Sequence, residues 1–147
     1  MTIVESEMRK ERLLYILKNS LTWSSSIINS FDDASLNHIY QLLLDQQKLY
    51  KVKLSENSVF SLRLTLPSKL AKEHGVTYGD RFNIKFNVDK KEVYLDFVHN
   101  GKCKIDKNRL IVMPYSLVER NVLKRNDDTL LYYKDGRITI KSFSFMQ

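Results

Sequence analysis

Residues that lock, bend or loosen a backbone are scarce in this chain. Cysteine occurs once, at Cys103, so no disulfide can close within the chain and no cysteine-based metal framework is available. Four glycines and two prolines among 147 residues leave no material for a Gly-rich phosphate loop or a long flexible linker. No apolar run approaches the ~20 residues that cross a bilayer as a helix, so no membrane span is expected. Glu5, Arg9, Lys10, Glu11 and Arg12 break any apolar stretch at the start, which argues against a signal peptide. The expected compartment is a reducing cytoplasm. The three histidines, His38, His74 and His99, have no zinc-ligand spacing. Ser24-Ser25-Ser26 has no companion base at a readable spacing. Asp32-Asp33 reads as a helix cap rather than a catalytic pair. The expectation is a protein that is not an enzyme and needs neither cofactor nor metal.

What the chain does have is positive charge, unevenly placed. The formal net charge is +7. Residues 1–55 hold seven Lys and Arg against six Asp and Glu, whereas residues 56–147 hold seventeen against eleven. A concentrated positive field attracts polyanions, and nucleic acid is the commonest of these in a cytoplasm. The hydrophobic fraction of 43% and charged fraction of 28% are those of an ordinary globular protein, so wholesale disorder is excluded.

Two amphipathic patterns occupy the first third. Met8, Leu13, Leu14, Leu17 and Leu21 recur at helical spacing and predict a helix over about 5–20. Asp32 or Asp33 then caps a second predicted helix, about 34–50, with a stripe of Leu36, Ile39, Tyr40, Leu43 and Tyr50. Trp23 between them reads as a packing anchor. Such helices can pack together or dock on a partner, and plain core packing is the more economical reading.

From Lys51 the period falls to two. Val52, Leu54, Leu62, Leu64 and Leu66 alternate with polar residues, as in strands. Pro67, at a first helical position, opens a short helix that holds Leu70 and stops at Gly75. Arg81–Val88 and Val93–Val98 then flank a hairpin turn.

The same grammar returns about 47 residues later. Lys102-Cys103-Lys104-Ile105-Asp106-Lys107-Asn108 echoes Lys51-Val52-Lys53-Leu54-Ser55-Glu56-Asn57. Pro114, Leu117 and Asp127 stand where Pro67, Leu70 and Asp80 stand in the first copy. Val122-Leu123 matches Gly75-Val76, and Asn126-Asp127 matches Gly79-Asp80. A second hairpin joins Leu130–Tyr133 to Ile138–Ser142 through Asp135-Gly136, a strong turn signal. One such copy has too little core to stand alone, so the two should interlock into one barrel-like body.

These residues resemble the AbrB/SpoVT/MazE-like swapped-hairpin family. The nearest match runs from Cys103 to Pro114, where the family has a Lys-Val-Asp step, a Gly-Arg turn and a Val-Val-Ile-Pro strand. The likeness covers about residues 51–143, as copies at about 51–98 and 102–143. It implies an α+β fold in which a helical segment, residues 1–50, precedes two tandem AbrB-like β-barrel half-units within 51–147. It also implies DNA-binding regulation, usually by homodimers. Carried over position by position, Arg109 takes the Gly-Arg place and Lys104 the preceding basic place, which Lys53 matches in copy one. Arg63 lies one residue nearer its proline than Arg109 does, so it is expected to face the other side of its strand. Lys72 fits a basic helix position, where copy two has Glu119 with Arg120 beside it. Lys69, Lys107, Lys124 and Arg125 complete the candidate DNA surface.

Two functions follow. The first is a sequence-specific transcriptional regulator that contacts double-stranded DNA through this basic strand-turn-helix surface, as a homodimer. The second is an antitoxin-like or anti-regulator protein that acts on a protein partner through its N-terminal helices.

Overall fold

The computed structural model describes residues 23, 31–44, 48–58 and 61–146. By contacts the chain divides into two units, residues 1–47 with 146–147, and residues 48–145. The helix expected over about 5–20, and Ser24-Ser25-Ser26, lie outside the described residues.

In the first unit, α1 spans Asp33–Leu44. Asp32 is its cap: the carboxylate accepts the Ser35 N–H at 2.7 Å while the Asp32 carbonyl accepts the Leu36 N–H at 3.0 Å. This pairing holds the Asp32 carboxyl below its usual range, through the Ser35 backbone first and the Ser35 hydroxyl second. Leu36 and Ile39 are buried, as is Trp23, whose ring centroid lies 6.0 Å from that of Phe31. The Ser35 hydroxyl donates to the Met146 carbonyl. The predicted helix was too long: Tyr50 belongs to a strand, because the two-residue alternation of Tyr50 and Val52 starts there.

The second unit is α+β, with an antiparallel sheet of six strands curled into a half-barrel and a smaller sheet of three. Its elements run β1 (Tyr50–Lys53), β2 (Ser55–Ser58), β3 (Ser61–Thr65), α2 (Ser68–His74), β4 (Arg81–Asn87) and β5 (Glu92–Phe97). They continue as β6 (Cys103–Lys104), β7 (Leu110–Pro114), α3 (Ser116–Glu119), β8 (Asp128–Lys134) and β9 (Arg137–Ser142), ending in a 3-10 turn, Phe143–Phe145. The large sheet has the order β1-β8-β9-β5-β4-β6, the small one β2-β3-β7.

This order interleaves the two sequence copies. The first strand of copy one, β1, pairs with β8 of copy two, and the first strand of copy two, β6, pairs with β4 of copy one. The registers match: Val52 opposes Thr129 as Cys103 opposes Phe82, and Lys53 opposes Asp128 as Lys104 opposes Arg81. One step on, the Leu54 N–H donates to the Asp127 carbonyl at 2.9 Å and the Ile105 N–H to the Asp80 carbonyl at 2.8 Å. In the small sheet Leu64 faces Ile111, the residue that the repeat makes its own equivalent. The pairings are therefore related by an approximate twofold exchange of the copies.

Alternation sets the faces of the small sheet. Leu62, Leu64, Ile111 and Met113 point inward and are buried, while Arg63, Thr65 and Val112 point outward. A single hydrophobic cluster draws on both copies, including Leu54, Leu66, Leu70, Phe82 and Leu95 from one and Ile105, Leu117, Val122, Leu131 and Ile140 from the other. Each such side chain contributes roughly 1.5–3 kcal/mol by leaving water, so the shared cluster is what holds the copies together.

Two local expectations are corrected. Pro67 is the N-cap of α2 and not its first helical residue, since its ψ of 138° is extended. The left-handed residue that ends the helix is Gly75 in copy one (φ 67°) but Asn121 in copy two (φ 61°), so Val122 and not Leu123 is the partner of Val76. Both valines donate their N–H back into the helix, Val76 to Ala71 and Val122 to Leu117, each at 2.9 Å. The segment from the proline to the left-handed residue is one residue shorter in copy two, Pro114 to Asn121 against Pro67 to Gly75, which the constant 47-residue offset conceals.

Candidate nucleic-acid interface

The ten candidate cations do not gather in one place. Lys53 ends β1 and Lys104 ends β6, which are opposite edges of the six-stranded sheet. Arg63 is exposed on the outer face of the small sheet, opposite the exposed Val112. Lys69 and Lys72 are exposed on α2. Arg120 caps α3 with its guanidinium over the Phe86 ring, 5.1 Å from the centroid. Lys124 and Arg125 are exposed in the loop that leads to β8.

Three of the ten meet. Lys72 of copy one and Lys107 and Arg109 of copy two line one cleft of about 350 Å³, with Tyr78 and Asp106. Local structure explains each placement. Lys72 follows the buried Leu70 and Ala71 on α2 and so points away from the core. Lys107 tips a short turn that Asp106 organises: its carboxylate accepts the N–H groups of Asn108 at 2.9 Å and Leu110 at 2.8 Å. Arg109 has φ 60°, a left-handed conformation that keeps it in the turn, and β7 begins at Leu110. Its Nε donates to the Leu66 carbonyl of copy one at 3.0 Å, and the Leu66 N–H donates to the Arg109 carbonyl at 2.9 Å. Arg109 is therefore half-buried and fixed across the two copies, whereas Lys72 and Lys107 extend into solvent.

The charges in this cleft are not cancelled locally. Among the described residues no carboxylate lies within ion-pair distance of Lys72 or Lys107. Glu73, the neighbour of Lys72, is engaged elsewhere: it accepts from the Tyr50 hydroxyl at 2.7 Å and the Lys48 ammonium at 3.0 Å. Those bonds hold the Glu73 carboxyl below its usual range, with Tyr50 the larger cause. Burial, then the bond to Glu73, pushes the Tyr50 phenol up to about 12. Lys72 and Lys107 are free to meet an external anion.

Two cations on the outer face of the large sheet share one carboxylate. Arg137 makes a two-bonded fork to Asp96, at 2.6 and 3.1 Å, and its guanidinium lies 4.4 Å from the Tyr94 ring centroid. Lys85 reaches the same carboxylate at 3.1 Å. A further cavity of about 420 Å³ is lined by His74, His99, Asp80 and Tyr133, but among the described residues no group of three His, Cys, Asp or Glu could hold a metal ion. No described helix is long and apolar enough to cross a membrane.

Sequence reasoning missed Tyr78, which is 72% exposed beside Lys72. Its signal was position: an aromatic in the short turn between Gly75 and Gly79, outside any helix or strand pattern. Compared with known proteins, the chain matches no family model, no curated protein and no solved structure.

Proposed function

We propose that this chain is a DNA-binding transcription regulator of the AbrB/SpoVT/MazE-like kind, with two swapped-hairpin copies in tandem and no need of a cofactor. The observation that carries the reading is the shared cleft, in which Lys72 from one copy and Lys107 and Arg109 from the other stand together beside a single carboxylate, Asp106, that is taken up by two backbone N–H groups. Two exposed ammonium groups suit phosphate oxygens as point charges, and a fixed guanidinium can hold a phosphate or a guanine edge. The exchange of first strands between copies supports the tandem arrangement, since it lets one chain build what two chains build in a dimer. In this reading the protein works in the cytoplasm, and its helical unit forms a homodimer or recruits a protein partner.

The test is fluorescence anisotropy of labelled random-sequence duplex DNA at several salt concentrations. Binding that weakens steeply with salt, and weakens further when Lys72 and Lys107 are both changed to Gln, is the expected result. Absence of binding by the wild-type protein at low salt overturns the reading.

A further inference from the structure

We propose that DNA is held on one side of the molecule only, by the cleft between α2 and the β6–β7 turn, and that the place related to it by exchange of the copies is not a second DNA site. This inference rests on the DNA-binding reading above and narrows it.

In a true dimer the twofold repeats the same binding surface, so that both halves contact the duplex alike. Here the backbone repeats, as the matched registers show, but the charges do not. The residue that corresponds to Lys72 is Glu119, exposed on α3. The residue that corresponds to Lys107 is Glu56, and Leu62, which corresponds to Arg109, is buried. Where copy one has Thr77 and Tyr78, copy two has Lys124 and Arg125. The cleft thus sets three cations against the one carboxylate of Asp106, and that carboxylate is occupied by two N–H groups. By sequence, the corresponding positions hold two cations, Lys124 and Arg125, and two carboxylates, Glu56 and Glu119, so their formal charges sum to zero.

A phosphate backbone repels an exposed carboxylate at close range, so Glu119 would oppose the very contact that Lys72 makes. The path of the duplex then follows Lys72 and Lys107 and leaves α3 facing solvent. The loop cations Lys124 and Arg125 balance their own neighbourhood rather than gripping DNA.

Four single variants measured by anisotropy against random duplex DNA across a salt series decide this: Lys72→Gln, Lys107→Gln, Glu119→Gln and Lys124→Gln. All four positions are exposed and none supports the core, and circular dichroism confirms that each variant is folded. The log-log salt slope should fall by about 0.9 for each phosphate contact removed. Lys72→Gln and Lys107→Gln each show that fall, while Glu119→Gln and Lys124→Gln leave slope and affinity within twofold of wild type. A fall for Lys124→Gln equal to that for Lys107→Gln, or a several-fold tightening by Glu119→Gln, overturns one-sided binding while DNA binding itself stands. Wild-type protein that binds no duplex at low salt removes the DNA reading and this inference together.

Discussion

His74 lies flat against Tyr133, with ring centroids 4.0 Å apart and planes 16° from parallel. His74 is the last residue of α2, in copy one, and Tyr133 stands near the end of β8, in copy two. The corresponding pair is Arg120 after α3 and Phe86 on β4, with the guanidinium 5.1 Å from the ring centroid. Each short helix is thus laid by its C-terminal end on the first strand of the other copy's hairpin, α2 on β8 and α3 on β4. Helices of seven and four residues have little stability of their own, so these contacts matter to them.

Tyr133→Ala should therefore destabilise the protein by about 2 kcal/mol, the sum of lost ring burial and lost stacking. Tyr133→Phe keeps the ring and should cost under about 0.5 kcal/mol. Phe86→Ala, at a ring 39% exposed, should cost only about 1 kcal/mol. Urea unfolding followed by circular dichroism measures all three, and equal losses for Tyr133→Ala and Tyr133→Phe would show that the ring holds nothing.

Leu64 and Ile111 face each other in the small sheet and are both buried. Truncating either to Ala should cost about 3 kcal/mol. The double variant should fall short of additivity by roughly 0.5–1 kcal/mol, because the second truncation enlarges a cavity already opened. Strict additivity in a double-mutant cycle would mean that the two side chains do not share a packing site.

Gly79 and Asn126 occupy equivalent turns at φ 91° and 57°. Open space surrounds the position where a Cβ would stand on Gly79, so only backbone strain resists a side chain there. Gly79→Ala should cost about 1–2 kcal/mol, and Asn126→Gly should be neutral or stabilise by up to about 1 kcal/mol. Thermal melts of the two variants test whether the turns are interchangeable; a loss on Asn126→Gly would mean that the asparagine side chain has a separate task.

Asp96 should make stability depend on acid. Hydrogen bonding to Arg137, and secondarily to Lys85, holds its carboxyl below the usual 3.8. A depressed carboxyl contributes stability that is fully present above its unfolded pKa and is lost as pH falls through the lower folded value. Wild type should exceed Asp96→Asn by about 1 kcal/mol near pH 7, a modest figure because Arg137 is 44% exposed, and the gap should close below about pH 4. A gap that persists unchanged at pH 2 would assign it to packing instead.

Much of the second unit was legible because its cues are local. Alternation at Leu62, Leu64 and Leu66, the Gly75 stop and the Asp135-Gly136 turn each fix a short piece by sterics or by face. The interleaved strand order was not legible, since pairing β1 with β8 spans some eighty residues and leaves no local mark. The end of α1 was misread at Tyr50 because a tyrosine serves a helix stripe and a strand face equally well. The cleft could be named residue by residue, but its membership could not. Nothing in the sequence says that Lys72 meets Lys107 while Lys53 and Lys104 part to opposite edges.

The exchange of first strands also sets an order of events for a chain made from its N-terminus. When copy one has left the ribosome, β1 still lacks β8, β3 lacks β7, β4 lacks β6 and β5 lacks β9, so four strands wait with unpaired backbone, and β3 and β5 carry exposed leucines. Synthesis at 5–20 residues per second puts the missing partners several seconds away. During that interval the nascent copy one is a ready template for any other strand nearby, including copy one of a neighbouring chain on the same message. Because the pairing strands lie in one chain, that hazard is limited: the correct partner is tethered about 47 residues behind, where its effective concentration exceeds that of any competitor.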